Sequence, residues 1–149
     1  MKESGAKRAL PLPVSVPSHC ALMKPAAEEL AIALEKLEIQ APVIPVINNA
    51  DVATVTDPAA IKDALVRQLY SPVRWTETVE RMASEEITFE IEMGPGKVLS
   101  GLVKRIDKRV DGSAINDLAY LEEHLVVYIV VEVFLELELG IDLVVVDMT

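Results

Sequence analysis

The sequence predicts an α/β layered fold built on a mainly parallel sheet. Three observations predict it. Strand-like and helix-like segments alternate, in the order strand, helix, strand, helix, helix, strand, helix, strand, helix. Two helix starts share one grammar, a capping side chain directly before a proline at the first helical position: Asp57-Pro58 and Ser71-Pro72. Ile87 to Met93 alternates apolar and acidic residues, the pattern of a strand with one wet face, before Gly94-Pro95-Gly96 turns the chain.

Each element has its own warrant. Residues 10–16, L-P-L-P-V-S-V, contain two prolines that remove two backbone donors, so only an edge strand or an extended lead-in fits. Pro17 to Cys20 reads as a turn. Leu22, Ala26, Leu30, Leu34 and Leu37 then recur at helical spacing and predict a helix over residues 20–37. Residues 41–47, A-P-V-I-P-V-I, read as a buried strand or extended segment ending at Asn48-Asn49. The two proline-started helices run to Leu69 and Ala83. Residues 97–107 read as amphipathic and basic, 113–116 as a short strand, and Asp117 as the cap of a helix through Leu125.

The tail, residues 126–148, runs V-V-Y-I-V-V-E-V-F-L-E-L-E-L-G-I-D-L-V-V-V-D-M. Glu132, Glu136 and Glu138 fall on one alternating set, which is a strand period, and 143–146 reads as a further strand. Acids this frequent are costly in hydrocarbon, so no membrane span is expected. Strong β propensity without proline makes the tail an aggregation hazard unless it is paired.

Composition bounds the function. The chain has 149 residues, 51% hydrophobic and 26% charged, which suits one globular domain or part of a larger one. One cysteine excludes an internal disulfide framework and a CxxC zinc site, and fits a reducing cytoplasm. Two histidines leave little for a metal site of nitrogen and sulfur donors. The formal charge is −10, unevenly spread: residues 1–109 hold all 14 bases, and residues 110–149 hold none. So acidic a chain is a poor coat for phosphates, and nucleic acid is not an expected ligand. No apolar run follows the charges of Met1 to Arg8, so no signal peptide is expected.

The sequence contains no G-x-S-x-G elbow, Walker A loop, H-E-x-x-H or G-x-G-x-x-G. His19 stands out, just after an extended segment and just before a helix, where α/β proteins expose functional groups. Its imidazole is suited to general base work, and a solvated loop histidine is the plainer reading. Cys20 beside it is better read as a small apolar residue than as a nucleophile, because adjacent side chains project apart. Gln68, near the end of a helix, reads alone as a surface amide. Lys97, Lys104, Arg105, Lys108 and Arg109 make one segment basic toward its end. That pattern reads either as a solvated face complementing a helix dipole or as a docking site for an acidic partner.

Three motifs carry a family resemblance. Residues 7–24, K-R-A-L-P-L-P-V-S-V-P-S-H-C-A-L-M-K, resemble the segment with the active-site histidine of bacterial malonyl-CoA:acyl carrier protein transacylases. Residues 63–75, D-A-L-V-R-Q-L-Y-S-P-V-R-W, resemble that family's later helix pair, and M-G-P-G-K-V-L-S-G-L-V-K-R-I, residues 93–106, its glycine turn and following helix. The resemblance runs from about Lys2 to about Leu125.

The resemblance implies part of an α/β-hydrolase-like acyltransferase fold with an inserted ferredoxin-like subdomain. Residues 1–18 would be the end of that subdomain and a return strand. Residues 19–125 would be the C-terminal part of the large domain, and residues 126–149 an atypical acidic tail. It implies malonyl transfer from coenzyme A to acyl carrier protein through a serine ester, as in fatty-acid synthesis. The coenzyme A thioester is substrate, and no cofactor or metal is implied. His19 matches the family's base and Gln68 a supporting glutamine; Lys104, Arg105 and Lys108 are candidates for carrier-protein docking. The family's nucleophilic serine, the arginine for the malonyl carboxylate and the oxyanion donors belong to an N-terminal half absent from this sequence. The chain is therefore expected to be inactive alone. A non-catalytic module binding an acidic partner, such as acyl carrier protein, is the alternative. The tail would pair with the sheet edge that such a truncation exposes.

Overall fold

The computed structural model describes Gly5, Lys7 and residues 16–94, 96–115 and 145–146. The expected strand over 10–16, the helix from Asp117 and most of the tail lie outside these residues. A 3-10 turn, Ala21–Met23, leads into α1, Lys24–Glu35. Helices α2, Pro58–Gln68, and α3, Trp75–Ser84, follow. Then come β1, Phe89–Met93, α4, Ser100–Ile106, and β2, Asp111–Ile115. Strand β3, Val145–Val146, closes the series. The sheet has the order β2-β1-β3 and every pairing is parallel, as expected for strands joined by crossovers. Phe89 stands opposite Asp111 and Met93 opposite Ile115, while Ile91 and Glu92 meet Val145 and Val146. Part of the tail thus pairs with β1 on the side away from β2.

Two packed units make up the helical layer. Helices α1 and α2 pack together, and their buried residues are Ala27 and Leu34 on α1 and Ala64 on α2. Lys62 Nζ donates to Leu37 O at 2.7 Å and satisfies a carbonyl beyond the end of α1. Asp57 caps α2 as its sequence predicts: Oδ2 accepts from Ala60 N at 2.8 Å, and Pro58 takes the first turn. The main core lies elsewhere. Trp75, Val79, Met82 and Ala83 form one stripe of α3 and pack with Ile47, Ile87, Val103 and Val110.

Four expectations need correction. The Ser71-Pro72 start is three residues early. Residues 72–74 stay outside the helix, because Val73 packs on the core and Arg74 N donates to Asn49 O at 3.1 Å; α3 begins at Trp75 without a side-chain cap. Residues 41–47 form no strand. Pro42 and Pro45 remove ladder donors, Val43, Ile44 and Val46 are exposed, and only Ile47 is bridged, to Thr54. The helical stripe of α1 is half covered, since Leu22 and Leu37 are exposed and Leu34 is buried.

The fourth concerns β1, whose acidic face is the covered one. Glu92 turns its carboxylate to the N–H groups that open α4, accepting from Val98 N at 3.1 Å and from Ser100 N at 2.9 Å. Burial works to raise its pKa, but these bonds, with those from Leu99 N and Ser100 Oγ, hold it below the usual value. Glu90 is 2% exposed, and its Oε1 has no hydrogen-bond partner. Gly112 makes room for it: a Cβ there would lie 2.9 Å from Glu90 Oε1 and 3.1 Å from Ser100 Cα. Burial first, and the Glu92 charge second, push the Glu90 carboxyl up to about 7.

The sign of the resulting pH dependence is fixed. Glu90 keeps its proton in the folded chain up to about 7 and loses it near 4.5 when unfolded. The folded state therefore binds more protons between those values, and stability falls as pH rises through that window. Denaturant midpoints compared at about pH 4.5 and about pH 8 should show this fall in the wild type, and Glu90→Gln should flatten it. An identical slope in both chains would mean that Glu90 titrates as if exposed. Deleting residues 126–149 removes β3 and bares an edge of β1. Lower solubility or a less cooperative melt is expected, and an unchanged melt would mean that the edge needs no cover.

Candidate active site

His19 sits at φ 59°, in the left-handed region that non-glycine residues seldom occupy. The end of α2 holds it there. Its main-chain N–H donates to Leu69 O at 3.0 Å. Its ring Nδ1 lies 3.0 Å from Gln68 O. A carbonyl oxygen only accepts, so Nδ1 carries the hydrogen and Nε2 carries the lone pair. Gln68 is the last residue of α2 and Leu69 its cap, so both oxygens are among those a helix end cannot satisfy itself. The helix terminus also brings partial negative charge to the ring.

His19 and Gln68, 49 positions apart, are thus joined, through the Gln68 main chain. Gln68 also lines a cavity of about 300 Å³, with Gln40, Asn48, Val55 and Leu65. Cys20 is engaged separately: its thiol donates to Pro17 O at 3.2 Å. Lys24 Nζ stands 5.8 Å from the centre of the Tyr70 ring and adds a second tie between the start of α1 and the chain after α2. The basic residues belong to another part of the molecule. Lys104 is paired with Asp111 at 2.5 Å. Arg105 and Lys108 are exposed and have no ion pair among the described residues.

Two residues that sequence reasoning passed over stand behind the histidine. Arg67 Nη1 and Nη2 donate to the two oxygens of Asp51 at 2.6 and 2.7 Å. Its Nε donates to Asp63 Oδ2 at 2.6 Å. The Asp63–Arg67 spacing was visible as a helical i, i+4 pair, while Asp51 lies in a loop with no local signal. The Arg67 hydrogen bonds lower the Asp51 pKa against its partial burial. Among the described residues no group of three or more His, Cys, Asp or Glu is placed to hold a metal, and no helix is long and apolar enough to cross a membrane.

The fold superposes on an acyl carrier protein S-malonyltransferase from Vibrio cholerae with a TM-score of 0.74 and 69% identity, over 82% of this chain and 40% of that one. The chain matches a segment of the malonyl CoA-acyl carrier protein transacylases. The transacylase of Salmonella typhimurium is 61% identical over 120 residues, 80% of this chain and 39% of that protein. A malonyl-transacylase solved in complex with a type II PKS acyl-carrier protein is 57% identical with a TM-score of 0.74, over 80% of this chain and 39% of its own. No family model matches the chain. The parallel α/β architecture is that of the transacylases, and the chain spans about two fifths of their length.

The left-handed turn at His19 has a simple test. His19→Ala and His19→Gly both remove the ring, but only glycine relieves the backbone. The Gly variant should be more stable by about 1 kcal/mol. Equal melting of the two would mean that the turn carries no strain.

Proposed function

We propose that this chain supplies the general base of a malonyl transfer from coenzyme A to acyl carrier protein, with His19 Nε2 as the proton acceptor. The observation that supports it most is the 3.0 Å contact of His19 Nδ1 with Gln68 O, which leaves Nε2 as the basic nitrogen. In the first half-reaction Nε2 takes the proton of a serine hydroxyl as the serine oxygen bonds to the malonyl thioester carbon. The carbon–sulfur bond breaks and the proton passes to the departing thiol. In the second half the carrier protein's thiol gives its proton to Nε2, attacks the ester, and the serine recovers the proton.

That serine belongs to the remainder of the relatives' length. None of Ser4, Ser15, Ser18, Ser71, Ser84, Ser100 and Ser113 stands in a G-x-S-x-G sequence, so the chain alone is inactive on this reading. On this reading the carrier protein is the partner, in line with the related complex, and the single cysteine fits a reducing, cytoplasmic location. The exposed cations Arg105 and Lys108 are the docking candidates that remain once Asp111 answers Lys104. Charge reversal at these two should weaken carrier-protein binding and its salt dependence; unchanged binding would reduce them to a wet surface.

The decisive experiment mixes the chain with the remaining part of the Salmonella typhimurium relative and follows malonyl transfer by intact mass. Neither piece alone should load the carrier protein, and the mixture should. His19→Ala should then cost about 10² to 10⁴ in rate. A malonyl adduct on the isolated chain, with Cys20 as first suspect, would overturn the reading.

A further inference from the structure

The base reading leaves open what holds the end of α2 at the level of the His19 ring. A hydrogen bond made by a terminal turn is only as firm as the turn, and helix ends fray. The last turn of α2 has one strong outside anchor. Arg67, the residue before Gln68, grips both oxygens of Asp51 with two parallel bonds at 2.6 and 2.7 Å. Such a fork fixes orientation as well as distance. The Arg67 carbonyl meanwhile accepts from Ser71 N at 3.1 Å, so one residue pins the turn through both its side chain and its main chain. What remains unpinned at that end is Gln68 O and Leu69 O, the two acceptors that His19 uses.

Asp51 is itself built in. Its N–H donates to Asn48 Oδ1 at 2.8 Å, and Asn48 Nδ2 donates to Ala53 O at 2.8 Å. Val52 is forced to φ 55°, an outlier for a β-branched residue. Arg81 Nη1 holds its carbonyl at 2.7 Å, and Arg74 N holds Asn49 O from the start of α3. The loop is therefore fastened to the core helix, and the Asp51 carboxylate is a fixed post in the sense that over-determined strained loops are.

We infer that Asp51 and Arg67 are positioning residues for His19, setting the last turn of α2 where Gln68 O receives the ring Nδ1–H. This rests on the reading of His19 as the base, and concerns how the base is oriented. Neither residue touches the reacting atoms; they act through the α2 main chain.

The test uses the full chain labelled with ¹⁵N, and reads two signals with the ring neutral: which ring nitrogen carries the hydrogen, and how fast the His19 amide exchanges. In the wild type the hydrogen should sit on Nδ1. Asp51→Asn and Arg67→Lys should each raise the Nε2–H population and the amide exchange rate about tenfold, and the double variant should go no further than either single. Asp63→Ala, which removes only the contact within α2, should leave both signals unchanged. Should Asp51→Asn fail to fold, Arg67→Lys keeps charge and helix propensity, and carries the test alone. Unchanged ring and amide signals in a folded Arg67→Lys chain would overturn the inference, as would a wild-type ring with its hydrogen on Nε2. A correctly oriented wild-type ring that supports no transfer in the mixed enzyme would sink the base reading and leave the clamp standing.

Discussion

A helix ends on carbonyl oxygens that its own backbone no longer has donors to reach. In this chain the end of α2 is completed by His19, once through its ring and once through its main chain. That pair of bonds sets the rest of the arrangement. The turn at residues 17–20 must double back on α2, which draws His19 into the left-handed region and starts α1 alongside. Helix α1 then packs on α2, and Ala27, Leu34 and Ala64 are buried. The second unit, α3 with α4 and the sheet, has its own apolar centre. The loop over residues 48–54 joins the two, since Ile47 enters that centre while Asp51 reaches back to α2.

Much of the architecture was legible because short-range physics determines it. Asp57-Pro58 starts a helix for reasons contained within four residues, and the parallel sheet follows from strands separated by helices. The errors fall where tertiary contacts overrule a local rule. Ser71-Pro72 looks like a helix start, yet Val73 gains more from the core, and Arg74 from Asn49, than either gains from an early turn. Glu90 and Glu92 alternate with apolar neighbours and read as solvated. Glu92 instead satisfies the opening of α4, and Glu90 is carried under the same helix by its register.

The site was legible in part, and by two routes. Position alone made His19 a candidate, and family resemblance added Gln68. Neither route showed that the Gln68 contribution to the ring is its carbonyl, because a main-chain atom leaves no residue-type signature. Asp51 was invisible for a different reason: an acid in a loop becomes informative only when its partner across the fold is known.

The place of β3 in the sheet has a kinetic consequence. Its two residues pair with Ile91 and Glu92 across most of the last third of the chain. Closing a loop of that size costs on the order of 3 kcal/mol in chain entropy, and only two residue pairs reward it. Pairing β1 with β2 closes a much shorter loop and is rewarded by five residue pairs. The central strand therefore acquires β2 early in folding and β3 last. Until then one whole side of β1 is an open template, so at high concentration a neighbouring chain competes with β3 for it, and yield on refolding becomes a contest between an intramolecular step and a bimolecular one.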